Sequence, residues 1–393
     1  LEPILSHLSF QIKENAIDSF MDEIKTPVTD PVFFSVGLPN KKLIPKKQLQ
    51  AMTNMLFEND PSNLYNYCSS KGYDPFISTI SAKETIAENF IMVTNGNTQG
   101  FDLVCRMLLN QKDSFAMEAY TYSIAHSAIH QYNLNAIEIP LQQDGMDMDV
   151  LEASIKKVPI KALYIIPNAQ NPTGITISLE KRKRLIDLAY QYNFIIIEDD
   201  PYRELLFDER IPSLFELDPL KEKVIYLYSF SKIIAPAMRT GFILAHPVYI
   251  QKLEQFKQIQ DACTSPINQM IINNLISSYV WPDLLEQQKN FYENRKKITQ
   301  HFLINMHKKY GWLSSDPAGG LFYWVNVLDG DVLEWMKYAA ASGVIFVPGK
   351  AFSLNDVTNT KIRICYAYCN DDEMMKGFER LEESFVKWKN NVQ

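Results

Sequence analysis

Tyr228-Ser229-Phe230-Ser231-Lys232-Ile233-Ile234-Ala235-Pro236-Ala237-Met238-Arg239 follows directly on the apolar run Val224 to Leu227. The run reads as a short buried strand. Lysine is ordinarily a solvated surface residue. One placed just after a buried strand loses part of its water, which lowers its pKa and frees a neutral amine to attack a carbonyl. Ser229, Ser231 and Arg239 lie close enough in sequence to hold a phosphate together. An amine nucleophile beside a phosphate cup points to pyridoxal 5'-phosphate (PLP).

Two further stretches carry complementary chemistry. Ile195-Ile196-Ile197-Glu198-Asp199-Asp200-Pro201-Tyr202 is a β-run that ends in acids, with a proline to stop the strand and a tyrosine three residues after Asp199. A carboxylate at a strand end can bond a pyridine nitrogen and keep it protonated, which makes the ring an electron sink. Asn168-Ala169-Gln170-Asn171-Pro172-Thr173-Gly174 is a turn signal after the apolar run Ala162 to Ile166. Taken singly, an acid pair after a strand reads equally as a solvated loop, and Asn-Pro-Thr-Gly as a plain turn.

In this order and spacing the three stretches resemble the fold-type I PLP enzymes, specifically the class I/II aminotransferases, from about Val32 to Glu383. The nearest branch is that of aminoadipate, kynurenine and aromatic-amino-acid aminotransferases, together with the effector domains of MocR-type regulators. The resemblance implies an α/β fold: a large domain with a mostly parallel, seven-stranded-type sheet covered by helices, plus a small α+β domain. Residues 46–285 are expected to form the large PLP-binding domain, and residues 1–45 and 286–393 the small one.

The resemblance also implies site roles. Lys232 is expected to bond the cofactor covalently and move the substrate proton, and Asp199 to hold the pyridine nitrogen. Asn171 and Tyr202 would bond the ring's 3′ oxygen. Ser229, Ser231, Arg239, Asn97 and Thr98 would anchor the phosphate, with Tyr67 reaching it from the other subunit of a homodimer. An aromatic in Met117-Glu118-Ala119-Tyr120-Thr121-Tyr122 would cover the ring, and the offset from Glu118 selects Tyr122 over Tyr120. Gly37, in Pro31 to Pro39, would lie against the substrate beside Asn171. Arg363 sits at the centre of the strand-like run Lys361 to Tyr366. Arginine inside an apolar strand is costly unless paired; it either meets a buried acid or grips a substrate α-carboxylate with its planar fork. Tyr228 stands where glycine is common in the nearest branch, and either narrows the site or points into the core.

The remaining sequence bounds the reading. At 393 residues the chain can hold more than one core. A net charge of −7 gives no support for nucleic-acid binding. No run approaches the roughly 18 apolar residues of a membrane span. No basic segment followed by an apolar stretch marks a signal peptide. The odd count of 5 cysteines argues for free thiols in a reducing compartment, so a cytoplasmic location is expected. No Cys/His pair follows Cys365 and Cys369 at finger spacing, so no metal site is expected. Runs with helical spacing are read at Glu2 to Lys25, Lys46 to Phe57, Ile175 to Gln191 and Asp283 to about Lys309. Apolar runs alternating with helical patterns argue for a mostly parallel sheet.

The expected reaction is transfer of an α-amino group from an amino acid (aromatic, aliphatic or aminoadipate-like) to a 2-oxo acid such as 2-oxoglutarate. A ligand-sensing MocR-type effector domain, or a PLP-dependent lyase or decarboxylase, would share the cofactor contacts. Such regulators carry a winged-helix segment ahead of the aminotransferase-like part. None is read before Val32.

Overall fold

Strands that are covered on both faces need apolar side chains at every position rather than at alternate ones. In the computed structural model, which describes residues 4–6, 9–10, 12, 16–24, 26–59, 61–62, 64–328 and 330–392, six strands are covered along their whole length, with polar residues confined to their ends and middles otherwise apolar. After the short β1 (Val32–Phe33) come β2 (Ile91–Thr94), β3 (Ser114–Glu118), β4 (Asn135–Ile139), the hairpin strands β5 (Leu141–Gln142) and β6 (Gly145–Met146), then β7 (Ala162–Ile165), β8 (Ile195–Asp199), β9 (Val224–Ser229) and β10 (Gly241–Leu244). Every residue of β2, β3, β7, β8, β9 and β10 is buried, whereas β4 is exposed over its first two residues.

These strands and β4 make one seven-stranded sheet in the order β2-β10-β9-β8-β7-β3-β4. Neighbours from β9 through β4 run parallel, and β10 is antiparallel to both β9 and β2. Parallel neighbours need long crossovers. The helices Ser123–Gln131, between β3 and β4, and Leu179–Tyr192, between β7 and β8, supply two of them. The latter starts later than the Ile175 to Gln191 expected, because Gly174 turns at φ +71° and the Ser178 side chain caps the helix by accepting from the Lys181 N–H. Of the helix expected over Glu2 to Lys25, Ala16–Glu23 is helical; residues 1–3, 7, 8, 11, 13–15 and 25 lie outside the described residues.

The helix Trp281–Tyr310 leads away from this sheet and stops at Gly311, which takes the left-handed conformation at φ +76°. Beyond it, β11 (Leu313–Ser314), β12 (Phe322–Asn326), β14 (Val347–Pro348) and β15 (Lys361–Cys365) form an antiparallel sheet in the order β11-β12-β15-β14. β13 (Val344–Ile345) pairs in parallel with β1 in a separate two-stranded sheet, which joins β1 to the C-terminal part of the chain. No described helix is long and apolar enough to cross a membrane. The consequence for the site is geometric. β8 and β9 run parallel and end side by side, so Asp199 and the segment after Ser229 emerge at the same edge, where open α/β sheets bind ligands.

Tyr228 points into the core. Its ring is buried, stacks on Phe242 at 4.8 Å between centroids, and lies 4.6 Å from the Arg203 guanidinium, which is itself paired with Glu84. Tyr228→Ala should therefore cost roughly 3–5 kcal/mol of unfolding free energy, while Tyr228→Phe retains most of it. Urea unfolding measures both. An alanine variant with wild-type stability and a changed KM would show instead that the ring faces substrate.

Candidate active site

Asp199 closes β8 and is buried. Both of its oxygens are occupied: Oδ2 accepts from the Tyr164 hydroxyl at 2.6 Å and Oδ1 from the Asn97 Nδ2 at 2.5 Å. Burial pushes its pKa up to about 6, and these two donors oppose that rise. Tyr164 comes from the neighbouring β7, and Asn97 opens the helix Asn97–Leu108 that follows β2.

Lys232 ends the single helical turn Phe230–Lys232 that follows β9, a turn capped by the Ser229 side chain accepting from the Ser231 N–H. Its Nζ donates to the Gly37 carbonyl at 2.8 Å. Burial lowers its pKa to about 8, and the Arg363 and Arg239 cations act in the same direction. An amine so placed is partly neutral near physiological pH and can act as a nucleophile.

Arg363 lies in the middle of β15 and is 3 % exposed. Nη1 donates to Asn171 Oδ1 at 2.9 Å and Nη2 to the Ser35 carbonyl at 2.6 Å. Its guanidinium carbon sits 4.3 Å from the Phe322 ring centre and 4.9 Å from that of Phe352. Nε has no hydrogen-bond partner, and no carboxylate pairs with this arginine among the described residues. The buried-acid alternative is thus not what the fold provides. Gly37 is needed here for space: a Cβ would come within 3.0 Å of Phe322 Cζ and 3.8 Å of Arg363 Nη1.

At the opposite end Ser229 Oγ bonds Ser231 Oγ at 2.9 Å. Arg239 donates to the Asn95 carbonyl at 3.0 Å and the Pro236 carbonyl at 3.3 Å. Gly96 bends at φ +79°, and a Cβ there would meet Arg239 Nη2 at 3.1 Å. Two hydroxyls, an exposed guanidinium and the start of a helix thus frame one recess, a setting that favours a phosphate.

One cavity of ≈ 560 Å³ joins these parts. It is lined by Gly37, Asn97, Thr98, Tyr122, Asn171, Asp199, Tyr202, Ser229, Ser231, Lys232, Arg239 and Arg363. Of the site residues read in the sequence, Tyr67 alone is absent from the cavity of its own chain; its side chain is 85 % exposed. Tyr122 lines the cavity while Tyr120 packs on Trp324 at 5.1 Å. Asn97, expected at the phosphate, commits its side-chain amide to Asp199, which leaves the free main-chain N–H groups of the first helical turn for an anion. Tyr164 was not read as a site residue. The signal available was a tyrosine in a buried apolar strand, whose hydroxyl needs a partner. Asp18, from the helix Ala16–Glu23, is a second lining residue not foreseen.

The residues present fit PLP, whose phosphate, ring nitrogen and aldehyde match the recess, Asp199 and Lys232. The Asn97 Oδ1 and Arg363 Nε atoms, both buried and unpartnered, lie among the residues lining this cavity. The fold and the site together define a PLP enzyme of fold type I. Residues 34–381 match the family "Aminotransferase class I and II", and the chain belongs to that family. It is 32 % identical to an aromatic-amino-acid aminotransferase of Thermococcus litoralis, over 98 % of this chain and 94 % of that one. The α-aminoadipate aminotransferase of Thermus thermophilus, solved with N-(5'-phosphopyridoxyl)-L-leucine, superposes with a TM-score of 0.91 at 29 % identity, covering 98 % of each chain. A weaker likeness, 26 % identity over 89 % of this chain and 79 % of the other, joins it to an HTH-type transcriptional regulator of Staphylococcus aureus. The protein is an aminotransferase and its cofactor is PLP.

Two measurements follow from the electrostatics. In the cofactor-free protein, labelling of Lys232 by an amine-directed reagent should rise with pH about a midpoint near 8; a midpoint above 10 contradicts the burial described. The second concerns Tyr164. Between about pH 3.8 and 6 the folded chain keeps the Asp199 proton that the unfolded chain has lost, so this group's contribution to stability falls as pH rises through that window. The Tyr164 hydroxyl offsets part of that cost only while Asp199 is ionised. Tyr164→Phe should thus lose about 1–3 kcal/mol at pH 8 and clearly less at pH 5. Equal losses at both pH values would show that the hydroxyl does not serve the carboxylate.

Proposed function

We propose that the chain moves the α-amino group of an amino acid to a 2-oxo acid, with Arg363 as the anchor for the α-carboxylate shared by both. The observation that carries this is a buried guanidinium with no carboxylate partner among the described residues, opening on the same cavity as the Lys232 amine. A carboxylate placed there supplies the missing counter-charge and satisfies Nε, and the planar fork fixes its orientation.

When bound, PLP supplies an aldehyde that condenses with amines and a ring that draws electrons from them. Asp199 would keep the ring nitrogen protonated, with Tyr164 and Asn97 holding the carboxylate in line. Asn171 would bridge the two halves of the site, since its Oδ1 already accepts from Arg363 while its side chain lines the cavity beside Tyr202. Ser229, Ser231, Arg239 and the helix start at Asn97 and Thr98 would hold the phosphate, and Tyr122 would cover the ring. Lys232 Nζ, displaced by substrate, would carry a proton from the substrate Cα to the cofactor in the first half of the reaction and from the cofactor to the oxo acid's Cα in the second.

The exposed Tyr67 fits this scheme as a residue given to the site of a second copy, which makes the working form a homodimer. The large PLP domain would comprise residues 46–285 and the small domain the two chain ends. Free cysteines throughout agree with a cytoplasmic location. Aromatic and aliphatic linings such as Phe33, Leu38 and Phe322 suit donors with apolar side chains.

The half-reaction tests the proposal without a choice of acceptor. Each amino acid of a panel is mixed with the PLP-loaded protein, and the 2-oxo acid released is measured against the cofactor present. Stoichiometric release from at least one donor supports aminotransfer; amino-acid binding without release would make the chain a sensor. Arg363→Ala should lower kcat/KM for donor and acceptor alike by about 30- to several-thousand-fold, the effect of a lost charged hydrogen-bond pair, with PLP affinity nearly unchanged. A variant that loses PLP but keeps its KM would remove Arg363 from this role.

A further inference from the structure

The cavity described above contains five charged side chains among the described residues: Lys232, Arg239, Arg363, Asp199 and Asp18. The proposed aminotransfer, on which this inference rests, accounts for four of them. Lys232 meets the aldehyde, Arg239 the phosphate, Asp199 the ring nitrogen and Arg363 the α-carboxylate. Asp18 alone has no part in that scheme. It also has no structural duty, since it makes no hydrogen bond or ion pair among the described residues, whereas Asp30, on the segment leading into β1, is tied to Lys376 and Arg380.

Its position is nevertheless fixed by packing. Ile17 and Phe20, on the same helix Ala16–Glu23, pack on the cluster of Val347, Ala351 and Phe352. Phe352 is one of the two rings bracketing Arg363, so the helix is seated beside the α-carboxylate anchor. Burial holds the Tyr122 hydroxyl above its usual pKa; the negative charges of Asp199 and Asp18 add to that, and the positive charges of Arg363 and Arg239 oppose it. Asp18 thus sits at the rim of the cavity, with the apolar Ile17, Phe33 and Leu38 among its neighbours in the wall.

Two consequences follow for a substrate gripped at Arg363. A side chain that extends along an apolar wall toward Asp18 gains if its tip donates a hydrogen bond or carries positive charge. A second carboxylate finds no free cation among the described lining residues and approaches a like charge, which raises its energy. We infer that Asp18 is a specificity-determining residue that selects amino acids with an apolar stem and a donor or cationic tip, and disfavours those with a second carboxylate.

Lysine and 2-aminoadipate form the sharpest pair for a test, since their side chains have similar length and opposite charge. In the half-reaction of the PLP-loaded protein, kcat/KM for lysine should exceed that for 2-aminoadipate. Asp18→Asn should reduce the lysine to 2-aminoadipate ratio about tenfold, the scale of one partly solvated charge pair, and Asp18→Arg should invert it. A second readout needs no chemistry. Calorimetric dissociation constants of 6-aminohexanoate and adipate, which both lack the α-amine and keep a carboxylate for Arg363 but end in an ammonium and a second carboxylate respectively, should favour 6-aminohexanoate in the wild type and lose that preference in Asp18→Asn. A ratio that stays within twofold in both variants, or adipate binding as tightly as 6-aminohexanoate to the wild type, overturns the inference. Should no donor react at all, the aminotransfer reading falls, and the binding comparison still decides the role of Asp18.

Discussion

A guanidinium enclosed by protein, with no carboxylate on it among the described residues, is the constraint around which the two sheets are arranged. Removing a charge from water costs several kcal/mol even after relaxation, and Arg363 recovers only part of that from its surroundings. The Ser35 carbonyl, Asn171 Oδ1 and the faces of Phe322 and Phe352 hold it. Each comes from a different part of the chain. Ser35 follows β1, Asn171 lies in the turn after β7, and Phe322 begins β12. The arginine on β15 of the second sheet therefore depends on a turn belonging to the first. That dependence brings the Arg363 guanidinium and the Lys232 amine into one cavity.

The first sheet imposes a matching strain on Asp199 and Lys232. Burial raises the carboxyl of the former and lowers the amine of the latter, so each is driven toward its neutral form. Two donors on Asp199 work against the effect and favour the ionised state that a protonated ring nitrogen requires. On Lys232, whose Nζ donates to a carbonyl, Asp199 favours the charge, but the Arg363 and Arg239 cations join burial in opposing it. The asymmetry suits the two roles. The acid must remain charged to polarise the ring, and the amine must be neutral to attack.

Much of this was legible in the sequence because its signals are local. A β-run ending in acids, a lysine among serines after another β-run and an arginine in an apolar strand each declare themselves within a dozen residues, and the cavity contains Asp199, Lys232 and Arg363 together. What could not be read depended on which strands become neighbours. Tyr164 sits in an apolar run and serves Asp199 only because β7 pairs with β8. Asn97 turns its side chain to the same carboxylate because its helix begins beside that strand end. Asp18 carries no motif, and its place at the cavity follows from the seating of a short helix on Phe352. For Tyr228 the sequence left two directions open. The ring stack with Phe242 decides it, since β9 pairs with β10 and sets Tyr228 directly against Phe242.

The claim on which the whole account turns is that Lys232 is the residue bonded to the cofactor. Reducing the PLP-loaded protein with borohydride, then digesting it and locating the pyridoxyl group by mass spectrometry, tests that claim directly. The account predicts a single modified peptide with the group on Lys232 and none in Lys232→Ala. A pyridoxyl group on any other lysine, or one that persists in the alanine variant, would contradict it.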